Sequence, residues 1–239
     1  MSDWTIPRAA VIPTNGRECV NQCLDAILPQ VDFVVLVENG EPVPARDRVY
    51  KFWVPPDTGI NISAWWNYGL DEVRWRVNPV RMRSGPETGG ESTLTRFLRV
   101  ERRRWDVAVL NDDAIVPEGW FDAVAIKMRE MKAAAASSCA HTAMPILYTK
   151  PGPVDLFRRM NGFAFILRGE LDIRPEKRLT WYCSDDHMDW LARGLGGVVV
   201  VPGFPINHLY PNGQVTEQIQ RQIAEDMQEF VNIWGQRPW

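Results

Sequence analysis

The chain has 239 residues, enough for one large α/β domain or two small ones with a real core. A formal charge of −3 gives no global attraction for nucleic acid, and no nucleic-acid partner is expected. No apolar run approaches the ~20 residues that span a bilayer, and the segment Met1-Ser2-Asp3-Trp4-Thr5 lacks the charged and apolar regions of a signal peptide. Four cysteines (Cys19, Cys23, Cys139, Cys183) form neither a Cys-x-x-Cys pair nor a dense framework. Free thiols and a cytoplasmic location are therefore expected, with no transmembrane segment.

In chain order, residues 8–12 read as a first strand, stopped by Pro13-Thr14-Asn15-Gly16. A helix pattern follows, with Val20, Leu24, Ile27 and Leu28 on one face and Pro29 ending it. The run Phe33-Val34-Val35-Leu36-Val37 predicts a parallel strand covered on both faces, ending in Glu38-Asn39-Gly40. A third strand at 50–54 runs into Pro55-Pro56-Asp57-Thr58-Gly59, and a helix is expected over 62–70. Three strands ending in polar loops on one rim suit a nucleotide site.

Residues 74–104 are arginine-rich and hold a Gly/Ser/Thr/Glu stretch at 84–95 that reads as a flexible loop. Two readings stay open for this insertion: a solvated surface excursion, or a lid whose guanidinium groups clamp phosphates or an acidic acceptor.

Next comes Val107-Ala108-Val109-Leu110-Asn111-Asp112-Asp113, an apolar run that stops in adjacent carboxylates. Asn and Asp are common turn formers, so the segment reads either as a turn or as hard oxygen donors for Mg2+ or Mn2+ beside a substrate phosphate. Residues 120–136 have helical propensity, helped by an alanine run, and 145–153 read as a loop. Residues 161–167 form another buried strand.

A second acidic cluster follows, Ser184-Asp185-Asp186-His187-Met188-Asp189-Trp190. Ser184 can N-cap a helix with Asp185 and Asp186 in its first turn. Two carboxylates plus Asp189 exceed what capping needs. Trp181 and Trp190 flank the cluster as core aromatics or as a stacking surface for an acceptor. A strand at 198–201 precedes His208, which lies in a Pro/Asn/Gly-bounded loop as a metal ligand or a backbone-bonded histidine. The amphipathic helix at 215–234 carries Ile219, Ile223, Met227, Phe230, Val231 and Trp234 on one side, for docking on the domain or for a homodimer. No internal repeat or linker divides 1–239, so one domain is expected.

Taken together, these segments resemble a family 2-type glycosyltransferase with the GT-A fold. The carriers are the first-strand motif at 11–17, the second strand at 34–40, Asn67-Tyr68-Gly69-Leu70, a DxD-like Asn111-Asp112-Asp113 before Pro117-Glu118-Gly119-Trp120, and the acidic segment at 184–197. The resemblance implies an α/β fold with a mixed, mostly parallel, Rossmann-like sheet flanked by helices. It implies metal-dependent, inverting transfer of a sugar from a UDP-, GDP- or dTDP-sugar to a hydroxyl on a glycan, protein or small molecule. It places the nucleotide on Pro13, Thr14, Asn15, Arg17, Glu38, Asn67, Asn111 and Asp112. Asp113, Asn111 and His208 would ligate Mn2+ or Mg2+, and Asp185 or Asp186 would be the base. Asn111 stands where the family pattern has its first acid, which keeps a non-catalytic nucleotide or carbohydrate binder in view. A sugar-nucleotidyltransferase is disfavoured because 13–17 lacks the lysine and the glycine richness of a triphosphate loop.

Overall fold

The computed structural model describes residues 6–55, 59, 61–78, 104–155, 159–210 and 216–239. Its strands are β1 (Arg8–Thr14), β2 (Phe33–Glu38), β3 (Val49–Trp53), β4 (Asp106–Leu110), β5 (Ala114–Ile115), β6 (Ala135–Cys139), β7 (Ile146–Tyr148), β8 (Ala164–Arg168), β9 (Val198–Pro202) and β10 (Asn207–His208). Its helices are α1 (Cys19–Ile27), α2 (Ile62–Val77), α3 (Trp120–Glu130), α4 (Ser184–Gly194) and α5 (Glu217–Trp234). Eight strands form one sheet in the order β3-β2-β1-β4-β8-β6-β9-β7, and β10 pairs with β5 in a small second sheet.

Strands β1, β2, β3 and β4 are parallel, as are β6 and β9, whereas β8 runs antiparallel between β4 and β6. The α/β architecture is thus a mixed, mostly parallel sheet flanked by helices. Alternation along the strands explains how both faces are covered. Ala10, Ile12, Val34, Leu36, Ala108 and Leu110 point to one layer, where α1 brings Val20, Leu24 and Ile27 and α3 brings Trp120, Phe121, Val124 and Met128. Ala9, Val11, Val35, Val37, Val107 and Val109 point to the other, against Trp65, Trp66, Leu70 and Val73 of α2 and Met188 and Ala192 of α4. Helix α5 packs on the outside of α4 through Phe230 and Trp190.

Several local expectations are corrected. The helix expected over 120–136 stops at Glu130, and the alanine run enters a fully buried central strand, β6. Lys132, at φ +56°, turns the chain between the two. Small side chains let β6 sit between β8 and β9 with helices on both faces, so tertiary burial overrides alanine's helix propensity. The expected loop at 145–153 contains edge strand β7, antiparallel to β9. Helix α2 continues to Val77, so Arg74 and Arg76 belong to it rather than to the insertion. The remainder of the expected insertion up to residue 103 lies outside the described residues. His208 sits in β10, not in an irregular loop.

Candidate active site

Parallel strands place their carboxyl ends on one rim, and there a cleft of about 1240 Å³ opens. That volume exceeds an ordinary small-molecule pocket. Pro13 and Thr14 at the end of β1, and Asn15 and Arg17 in the loop after it, line it together with Asn111, Asp112 and Asp113 just beyond β4. Asp185 from the start of α4 and His208 from β10 complete the set of expected residues found there.

The Asn-Asp-Asp segment is a turn and also part of the cleft. The Ala114 amide donates to the Asn111 carbonyl at 3.1 Å, closing a tight turn, while the Asn111 amide donates to Phe163 at 2.9 Å. This turn sends the two carboxylates to different partners. Asp112 accepts from the Thr14 hydroxyl at 2.7 Å and from Arg17 Nε at 3.2 Å, and a second Arg17 nitrogen contacts its other oxygen. Asp112 is therefore committed to holding the β1 loop. Asp113 lies 3.4 Å from Arg17 through Oδ2 and 3.2 Å from His208 Nε2 through Oδ1. The His208 contact is close enough for ion pairing with a protonated imidazole but lacks hydrogen-bond alignment, and buried Oδ1 has no donor. Burial pushes the Asp113 carboxyl up, yet His208 and Arg17 outweigh it and hold the group below the usual carboxylate range.

His208 is placed by backbone pairing rather than by chance. It is opposite Ala114 in the β10–β5 ladder, and the Leu209 amide donates to the Asp113 carbonyl at 3.0 Å. The Phe163 ring stacks on its imidazole at 4.4 Å. An acid oxygen with no donor beside an imidazole nitrogen can supply two ligands to Mn2+ or Mg2+, with Asn111 in the same lining. Among the described residues, no cluster of three or more His, Cys, Asp or Glu side chains is arranged for a metal. Any ion here would take its remaining ligands from substrate or water.

Across the cleft, the two candidate bases separate. Asp185 is half-buried in the lining, with its carboxylate against Gly162: a Cβ on that glycine would stand 2.1 Å from Oδ2. Asp186 is buried, lies outside the lining and is paired with Arg159. Burial, with Asp185 and Asp189 nearby, pushes the Asp186 carboxyl well up despite Arg159. The expected N-cap also differs. Cys183 occupies that position at φ +60°, and the Ser184 hydroxyl instead reaches Ser63 Oγ at 2.6 Å and the Leu179 carbonyl at 3.0 Å. Asp189 pairs with Arg193 away from the cleft, and burial raises its carboxyl to about 6. Trp190 is core, whereas Trp181 is partly exposed in the lining.

Two residues expected at the nucleotide lie elsewhere. Glu38 accepts from the Val43 amide at 2.8 Å and pairs with Lys51 at 3.0 Å, fastening the loop after β2. Asn67 donates to the Pro175 carbonyl at 3.0 Å and holds α2 to the segment before α4. The cleft also contains residues that sequence reasoning passed over. Asn39 lines it beside the β2 end, and Trp65 and Trp66 line it with buried indole N–H groups that find no acceptor among the described residues. Arg159, Gly162 and Phe163 line it from the approach to β8, and Ile219 and Ile223 from α5. A glycine before a buried strand was the one available signal, for Gly162.

No protein-family model matches the chain, and no curated protein matches it in sequence. Its fold does have solved counterparts. A crystal structure of S. aureus TarS residues 1–349 superposes with a TM-score of 0.54 at 11% identity, covering 95% of this chain and 72% of that one. A second S. aureus TarS crystal structure gives 0.53 at 13% identity, covering 95% of this chain and 40% of that one. TarS is a glycosyltransferase of GT-A-like fold. Among the described residues, no helix is long and apolar enough to cross a membrane. The chain has a GT-A-type α/β fold, its cleft at the carboxyl ends of the parallel strands.

Proposed function

We propose that the protein transfers a sugar from a nucleotide-sugar donor to a hydroxyl acceptor with inversion. One observation carries this reading: a strand-end acid paired with a histidine and a helix-start acid share one cleft, in a fold also seen in a glycosyltransferase. The nucleotide lies along Pro13, Thr14 and Asn15, with its diphosphate near Arg17, Asn111 and Asp113. Arg17, already fixed by Asp112, offers a guanidinium to phosphate. Asp113 and His208, with Asn111, would hold Mn2+ or Mg2+, which neutralises charge on a departing diphosphate.

Asp185 takes the proton of the acceptor hydroxyl as its oxygen attacks the anomeric carbon. The new C–O bond forms opposite the breaking bond to the diphosphate, whose oxygen leaves with the electron pair. Asp185 suits this role better than Asp186 because its carboxylate faces the cleft, while Asp186 is occupied by Arg159. A general base of this kind is worth about 10²–10⁴-fold.

A second reading, a nucleotide or carbohydrate binder without turnover, draws on Asp112, which is already bonded to Thr14 and Arg17. One experiment separates the two. UDP-, GDP- and dTDP-sugars are screened with and without Mn2+ for a rise in melting temperature, and the best donor is followed for nucleoside diphosphate release. Asp185→Asn is expected to keep donor affinity within about threefold and to lower turnover about 10²-fold or more. Asp113→Asn is expected to weaken the Mn2+-dependent part of binding. Binding with no release in wild type under any acceptor supplied establishes the binder. Unaltered release in both variants removes the transferase assignment.

A further inference from the structure

Helix α5 does more than cover an apolar surface. Midway along it Asp226, 1% exposed, accepts hydrogen bonds from three consecutive amides: Thr180 at 3.1 Å, Trp181 at 2.7 Å and Tyr182 at 2.7 Å. The Thr180 hydroxyl at 3.4 Å and Gln222 Nε2 at 2.9 Å complete its shell. A buried carboxylate is tolerated only when its lone pairs are satisfied, and here backbone donors satisfy them. Apolar docking by Phe230 on Trp190 would seat the helix without any carboxylate.

These three amides lead directly into Cys183, the left-handed residue that starts α4 and sets the heading of Asp185. From the opposite side α2 holds the same segment: the Ile62 amide donates to the Thr180 carbonyl at 2.7 Å, and Ser63 bonds Ser184. Trp181 and Tyr182, and Ile223 and Ile219 about one and two turns before Asp226 on α5, all line the cleft.

We infer that Asp226 is a positioning residue: by clamping the backbone of 180–182 it fixes the approach to α4 and hence where Asp185 faces the cleft. Through this clamp the α5 wall at Ile219 and Ile223 is coupled to the base. The inference rests on the reading of Asp185 as the base. Its chemistry is specific to a carboxylate, because Thr180 and Gln222 reach Oδ1 while Trp181 and Tyr182 reach Oδ2. An amide would turn one of those acceptors into a donor facing donors.

The test uses the full chain with Asp226→Asn and Asp226→Glu. Its probe is the UDP-, GDP- or dTDP-sugar that raises the melting temperature most, with Mn2+ and with water as the acceptor. For Asp226→Asn, kcat for nucleoside diphosphate release is expected to fall about 10²-fold, the cost of a misplaced reacting group. Donor KM should stay within about twofold, and amide exchange at 181 and 182 should rise about tenfold or more as local protection is lost. Asp226→Glu should recover part of both effects. Unchanged exchange at 181 and 182, or raised exchange with kcat within twofold of wild type, overturns the inference. If Asp226→Asn does not fold, Asp226→Glu is measured against wild type by the same readouts, with smaller changes of the same sign expected and no change overturning it. Asp185→Asn run alongside separates the layers: normal release there removes the base itself, whereas raised exchange in the Asp226 variant still identifies the clamp.

Discussion

At the residue scale, adjacent acids with the same formal charge do different work because the backbone turns between them. Asp112 points back to Thr14 and Arg17, and Asp113 points forward to His208. The acids after Ser184 divide likewise: Asp185 faces the cleft and Asp186 the Arg159 guanidinium. A sequence locates such pairs but does not apportion them, since one step along a tight turn or a helix, about 100° in the helix, swings a side chain onto a different face. Gly162 shows what that local placement demands. Its Cα lies so close to Asp185 that an added Cβ would fall 2.6 Å from Cγ, and the carboxylate is the part free to yield. Gly162→Ala is therefore expected to fold with nearly wild-type stability while turnover falls about 10–10²-fold, since an ångström of misplacement is enough for that loss. Melting curves with the kinetics of nucleoside diphosphate release check it; full turnover in this variant would show that Asp185 does not need its present position.

Elements were legible where burial and pattern agree. The continuous apolar runs at β2 and β4 became buried strands, and the apolar periodicity at 20–27 became α1. Element identity was lost at β6, where Ala135-Ala136-Ser137-Ser138-Cys139 carries helix-favouring alanine in a strand whose neighbours come from residues 30 and more positions away. The Pro-flanked β7 was lost for a related reason, because only its partner β9 makes it a strand. The packing of α2 onto β1 depends on a close approach at Gly69, where a Cβ would stand 2.2 Å from Val11 Cγ1. Val11 is fully buried and cannot move aside. Gly69→Ala is expected to cost about 1–3 kcal/mol by overpacking, with partial recovery in the Gly69→Ala/Val11→Ala double variant, as coupled neighbours require. Urea unfolding of wild type, Gly69→Ala, Val11→Ala and the double variant measures it; additive losses would place the strain elsewhere.

On the scale of the whole molecule, the end of the sheet opposite the cleft is tied by charge. Arg129 of α3 bonds Asp106 of β4, Glu170 beyond β8, and the Trp105 carbonyl. Burial would raise the Glu170 carboxyl, but Arg129, its own backbone amide and Arg168 together lower it from 4.5. A carboxylate whose folded value lies below its unfolded value adds stability above the unfolded value, and this is lost as pH falls through the folded one. Glu170→Gln is expected to cost about 3 kcal/mol at neutral pH by leaving Arg129 short of a partner. Its deficit against wild type should shrink as pH drops below 4.5. Denaturation at pH 7 and pH 3.5 reads this directly; a constant deficit would mean that the fold does not lower the Glu170 carboxyl, and a growing one that it raises it.

Only the family resemblance implied that the two acidic segments meet; the sequence by itself determined the α/β class of fold and the rim on which the polar strand ends gather. Those follow from short-range physics: apolar runs bury, polar residues end them, and parallel strands align their ends. Tertiary structure alone decided which acid of each pair faces the cleft, that His208 stands beside Asp113, and that Glu38 and Asn67 fasten loops away from it. It also brought α5 and Asp226 to the backbone before Asp185, across more than forty residues of chain. Contacts at that separation are set by how layers pack around a shared core, and no local pattern of residues encodes them.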